Sequence, residues 1–98
     1  MKEILQHDHG ECPIQKTASI LSDAWTVMIV RDLLVTPKRF CELEKSLSGI
    51  STRTLTLKLQ KLVDEKIIEH NDLYYSITKK GSLLESVIHE MSKVGKKM

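Results

Sequence analysis

The chain has 98 residues, 41% of them hydrophobic and 29% charged, and a net charge of only +2. One domain of this length buries about 60–65% of the surface its unfolded chain exposes, so a second copy would add needed core. The charge excludes a uniformly basic nucleic-acid binder, and any DNA-binding surface must come from local placement.

Met1 to Glu11 is polar and reads as a flexible tail. Its His7 and His9, with Cys12 just after, are possible zinc or nickel ligands, but they lack the paired spacing of a structural zinc site. They read as incidental, and no metal is expected. The two cysteines, Cys12 and Cys41, form no disulfide framework, which points to a reducing cytoplasm. No signal peptide is visible. The longest strictly apolar run, Val27 to Val30, is far too short to span a bilayer, so no membrane partner is expected.

Cys12-Pro13 opens a first helix, since proline fits the first helical position. Cys12 then sits at the N-cap or beside it, where the positive end of the helix dipole favours a thiolate. Ile14, Ala18 and Leu21 form its apolar stripe. Asp23 caps a second helix from Ala24 to about Val35, ended by Pro37. Trp25, Met28, Ile29 and Leu33 occupy one side of it, and Val27, Val30 and Leu34 the other. Such a helix is sandwiched, here between the core and a partner subunit. Lys38 and Arg39 form an exposed basic step. Phe40, Leu43 and Leu47 mark a short third helix, on which Cys41 reads as a small core residue.

Gly49 turns the chain into Ile50 and Ser51, the staple and N-cap of a fourth helix. Leu55, Leu59, Leu62 and Val63 repeat on one face of it. Arg53, Thr54, Leu57, Gln60 and Lys61 lie opposite, with Thr56 and Lys58 on the flanks. Arg and Lys can bond guanine, Gln can bond adenine, and Thr or Leu can touch a thymine methyl. The same face is also compatible with ordinary solvation. Helix, tight glycine turn and helix together form the helix-turn-helix pattern. Two short β-favouring runs follow, Ile67 to His70 and Leu73 to Ile77, joined by an Asn71-Asp72 turn as a wing. Thr78 caps a last helix with the stripe Leu84, Val87, Ile88 and Met91, widened by Leu83 and Val94. That is more apolar surface than a small core covers, which points to a dimer.

The ordered set Cys12-Pro13, Trp25-Thr26, Arg39-Phe40-x-Glu42-Leu43, Gly49-Ile50-Ser51 with Leu55-Thr56 and Leu59, and Tyr75-Ser76-Ile77-Thr78-x-x-Gly81 resembles the HxlR family of winged helix-turn-helix transcriptional regulators. The resemblance implies a homodimer joined by its first and last helices, recognition helices in two major grooves, and wings near the flanking minor grooves. It implies DNA contacts from Ser51, Arg53, Thr54, Thr56 and Lys58, and phosphate contacts from Lys38 and Arg39. Some relatives sense oxidants or electrophiles through the cysteine matching Cys12. Two departures stand out. The short wing offers His70, Asn71 and Asp72 where Arg or Lys is usual, and Asp23-Ala24 replaces a glycine pair.

The expected fold is mainly α with a small β-hairpin. Residues 1–11 are a tail and 12–98 a winged-helix domain with terminal helices for dimerisation. The expected function is a dimeric DNA-binding regulator responsive to oxidants or electrophiles; the alternative is a winged-helix protein-interaction module without DNA binding. Candidate DNA contacts are Lys38, Arg39, Ser51, Thr52, Arg53, Thr54, Thr56, Leu57, Lys58, Gln60, Lys61, His70 and Asn71. Candidate interface residues are Ile14, Val27, Leu84, Val87, Ile88 and Met91, and Cys12 is the candidate sensor. No Gly-rich phosphate loop, nucleophile motif or Glu-x-x-His helix is present, so neither catalysis nor a cofactor is expected.

Overall fold

A computed structural model describes residues 12–98; the expected tail, with His7 and His9, lies outside the described residues. The order is α1 (Pro13–Ile20), α2 (Ala24–Val35), β1 (Lys38–Arg39), α3 (Phe40–Ser46), α4 (Thr52–Asp64), β2 (Ile68–Asn71) and β3 (Tyr74–Ile77). A 3-10 turn (Gly81–Leu84) and α5 (Glu85–Lys97) complete it. This is the expected winged helix-turn-helix, mainly helical with a small sheet.

Local chemistry sets most boundaries. Cys12 is the N-cap residue of α1, in extended conformation ahead of Pro13. Asp23 caps α2 by accepting the Thr26 backbone N–H at 2.9 Å. Pro37 disfavours helical geometry in the residue before it, and Thr36 is extended. Ser51 caps α4, its Oγ accepting the Thr54 N–H at 3.0 Å. Gly49 has φ +93°, and a Cβ there would meet no atom within 4 Å, so the backbone conformation alone calls for glycine.

The core is one cluster. Leu55, Leu59 and Leu62 of α4 join Ile29, Val30 and Leu33 of α2, Leu43 of α3, Leu47, and Ile67 and Ile68 at the start of β2. Each fully buried Leu or Ile contributes roughly 1.5–3 kcal/mol. Buried Asp32 is well partnered: Ser46 Oγ donates to its Oδ2 at 2.5 Å, and Arg31 bonds its Oδ1 at 2.8 and 3.0 Å. These bonds tie α2 to the end of α3.

The end of α4 is closed by two backbone bonds, Lys66 N–H to Val63 O and Ile67 N–H to Leu62 O, each 3.0 Å. This is a Schellman arrangement, with Lys66 at φ 64° where glycine is usual. Further on, Thr78 Oγ1 bonds the Lys66 and Ile67 carbonyls at 2.6 and 2.9 Å and accepts the Gly81 N–H at 3.0 Å. Gly81 thus lies against the Ile67 carbonyl, where a Cβ would overlap the oxygen.

The structure corrects five expectations. Lys38 and Arg39 are a strand, and the sheet has three antiparallel strands in the order β1-β3-β2. The wing turn is Asp72-Leu73, because the register that pairs Ile68 with Ile77 leaves Asn71 paired with Tyr74. Asp72 takes the left-handed conformation at φ 53°, which Asp tolerates. Cys41 is exposed, since Leu43 and Leu47 hold the core-facing row of a two-turn helix and Cys41 falls beside it. Thr78 caps no α-helix: its Oγ1 accepts the N–H of Gly81, where a 3-10 turn begins, and α5 begins only at Glu85. That turn inserts Leu84 into the chain's own core at 6% exposure, where the expected stripe had it on the face of the last helix.

The other expected interface residues remain at least partly exposed. Ile14 and Met91 are each 47% exposed, and Val27, Val87 and Ile88 are half-buried. Neither α1 nor α5 contains a buried residue. Between them runs a groove of about 520 Å³ lined by Pro13, Ile14, Thr17, Ala18, Leu21, Val87 and Met91.

Two substitutions should act in opposite directions in chemical denaturation. Gly81→Ala should destabilise by about 1–3 kcal/mol through overlap with backbone that cannot move away cheaply. Lys66→Gly should stabilise by about 1 kcal/mol by removing the cost of a side chain in the left-handed region.

Candidate nucleic-acid interface

The leucine stripe sets the orientation of α4. With Leu55, Leu59 and Leu62 buried, the opposite face carries Arg53, Thr56, Leu57, Gln60 and Lys61, all exposed. Leu57 is 59% exposed, although it is a large apolar side chain at the middle of the helix. Among the described residues, Arg53 and Lys61 have no hydrogen bond or ion pair, so their charges are uncommitted.

Several expected contacts are engaged internally. Ser51 Oγ donates to Thr54 Oγ1 at 2.8 Å. Thr52 Oγ1 donates to Glu44 Oε2 at 2.8 Å, which binds the first turn of α4 to α3. Thr56 Oγ1 donates to the Thr52 carbonyl one turn back at 2.8 Å. The hydroxyl protons of Ser51, Thr52 and Thr56 are therefore in use, and phosphate oxygens only accept. Gln60 Nε2 donates to Asp64 Oδ1 at 3.0 Å.

Lys58 differs most from expectation. Its Nζ lies 2.7 Å from Asp23 Oδ2, an ion pair with both side chains 31% exposed. Burial pushes the Asp23 carboxyl up. The bonds from Lys58 and Thr26, with the Lys58 charge, outweigh that and hold it below its ordinary value. Lys58 is a brace between α4 and the start of α2.

The sheet divides the remaining candidates between its faces. Directly paired residues point to the same side, so Lys38, Tyr75 and His70 form one cross-strand row and Arg39, Tyr74 and Asn71 the next. Lys38 and His70 share the side of Ile68, which is buried with the α4 leucines. Arg39 and Asn71 face the other way. His70 stacks on Tyr75, with ring centroids 4.0 Å apart and planes within 9°. Burial pushes the Tyr75 phenol up, so it is a neutral platform. The Arg39 guanidinium sits 5.4 Å from the Tyr74 ring centroid. Its interaction with Tyr74 holds that guanidinium above its ordinary value.

Sequence reasoning missed the polar partners that brace the site. Asp23 is legible as a cap, but its grip on Lys58 spans 35 residues and has no local signal. Glu44 gave no sign of holding Thr52. Among the described residues, no group of His, Cys, Asp and Glu could hold a metal, and no helix is long and apolar enough to cross a membrane.

Comparison with known proteins gives a consistent result. The model of the HxlR-like helix-turn-helix family matches residues 20–98. An uncharacterized HTH-type transcriptional regulator of Synechocystis is 35% identical over 92 residues, covering 86% of this chain and 67% of the relative. The HTH-type transcriptional regulator YodB of Bacillus subtilis is 33% identical over 88 residues, covering 82% and 79%. Quinone-bound YodB is similar in structure, with a TM-score of 0.79 and 29% identity, over 87% of this chain and 97% of that one. The redox regulator HypR in its reduced form has a TM-score of 0.80 and 25% identity, over 87% and 91%. The curated relatives are transcriptional regulators, which are not enzymes. On this evidence the chain belongs to the HxlR-like helix-turn-helix family of transcriptional regulators.

Proposed function

We propose that the protein is a homodimeric regulator that binds duplex DNA in a sequence-dependent way and responds to oxidants or electrophiles through a thiol. The observation that carries DNA binding is the outer row of α4. Arg53, Leu57 and Lys61 are exposed at helical spacing, with both cations uncommitted among the described residues. Arg53 reads a base, and Leu57 meets a thymine methyl. Lys38 grips phosphate, because it lies on the sheet side shared with the buried Ile68 and the α4 leucines. Arg39, on the opposite side, contributes less. Selection of bound duplexes from a random pool should return a two-fold motif with half-sites about one helical turn apart. A pool without enrichment would refute sequence reading. Arg53→Ala should cost about 1–3 kcal/mol on the selected site and relax preference there. Lys38→Ala should weaken all duplexes alike and flatten the salt dependence by about one unit.

Dimerisation is supported by α1 and α5, which hold no buried residue, and by the apolar groove between them. Sedimentation at micromolar concentration should give twice the chain mass. Met91→Asp should give folded monomer, because Met91 is half exposed in the single chain and only the dimer would bury the new charge. A wild-type monomer would defeat the dimer.

For sensing, quinone-bound YodB and the redox regulator HypR are the structural relatives that bear on the question. Cys12 is the sensing thiol, buried at 8% exposure at the head of α1, beside the proposed interface. Its modification would disturb that helix. Cys41 is exposed and should label first with a bulky reagent. Loss of quinone-dependent release from DNA in Cys12→Ser, and its retention in Cys41→Ser, is the expected pattern. The reverse pattern would assign sensing to Cys41.

A further inference from the structure

We infer that Asp23 is a specificity-setting residue that holds Lys58 off the DNA backbone; this rests on the DNA-binding reading above. Lys58 follows Thr54 by four residues, so the two share a row of α4 between the buried stripe and the outer face. A lysine there has the length to swing to a phosphate. Its Nζ is instead 2.7 Å from Asp23 Oδ2. That carboxylate is itself fixed, because its Oδ1 accepts the Thr26 N–H at 2.9 Å and its Oδ2 the Thr26 hydroxyl at 3.1 Å. The acceptor cannot follow the lysine outward without uncapping α2.

A phosphate contact at this position would strengthen binding to every duplex equally, since backbone contacts carry no sequence information. By neutralising Lys58 internally, Asp23 leaves the α4 surface with two uncommitted cations among its described residues, Arg53 and Lys61. Non-specific affinity is lowered, and the share of binding that depends on sequence rises.

The charge and the cap can be separated. Asn and Ser cap helices about as well as Asp, so Asp23→Asn and Asp23→Ser keep an acceptor for the Thr26 N–H while removing the charge and the Oδ2 acceptor that holds Lys58. Binding to a mixed-sequence duplex should be measured against salt for wild type, both Asp23 variants, Lys58→Gln and the Asp23→Asn/Lys58→Gln pair. Melting curves should accompany each to establish folding. Both Asp23 variants should show a slope steeper by about 0.9. A fourfold drop in salt then strengthens their binding roughly 3.5-fold more than that of wild type. Lys58→Gln alone should leave the wild-type slope unchanged, and the double variant should return to it. A slope unchanged in the Asp23 variants would overturn the inference. So would a flatter slope in Lys58→Gln alone, which would mean that Lys58 leaves Asp23 to grip DNA. If wild type binds no duplex at low salt, the DNA-binding reading fails first and takes this inference with it.

Discussion

The structure depends on burial of one leucine stripe. Leu55, Leu59 and Leu62 can leave water only if α4 lies across α2 and α3 and against the start of β2, and that single placement sets which way the helix faces. It also sets the wing, because Ile67 and Ile68 enter the same cluster directly after the helix ends. Rotating α4 to bury any other row would expose these leucines at a cost of roughly 1.5–3 kcal/mol each. The outer face is therefore presented as rigidly as the core is packed.

Around that core, polar groups divide into those spent on the fold and those left over. Asp32 joins α2 to α3 through Ser46, Glu44 joins α3 to α4 through Thr52, and Asp23 joins α2 to α4 through Lys58. Each acid reaches from one helix of the motif to another. What remains on α4 is a small set of long side chains, Arg53, Leu57 and Lys61, without such ties among the described residues. With a net charge of only +2, the positive character of the outer row of α4 is local, set by Arg53 and Lys61, while the exposed Asp64 at its C-terminal end is bonded to Gln60.

The terminal helices show the opposite balance. α2 contains five buried residues and α4 three, whereas α1 and α5 contain none. Ile20 and Ile88 pack against the edge of the core, but most of the other apolar residues of these two helices line open grooves. A second copy is the simplest cover for surface of this kind in a chain too short to enclose it. Cys12 heads one of these helices, so a thiol reaction and subunit packing would act on the same element.

The first four helices and the outward face of α4 were legible in local sequence. Ser51, Gly49 and the leucine spacing define α4 through capping, a positive-φ turn and the 3.6-residue period, all of which act within a few residues. Asp23 and Pro37 bound α2 for the same reason. What lies further apart was decided by the tertiary structure. β1 is two residues with no strand character of their own, and it exists because β3 offers an edge to Lys38 and Arg39. The wing turn moved by one residue because a slip would have turned Ile68 away from the core. Leu84 went inside and Cys41 outside because a 3-10 turn and a two-turn helix aim side chains where the ideal helical period does not. Lys58, which the family resemblance assigned to DNA, pairs with Asp23 across 35 positions. A charge pair of that separation depends on where two helices cross, and no local rule contains that information.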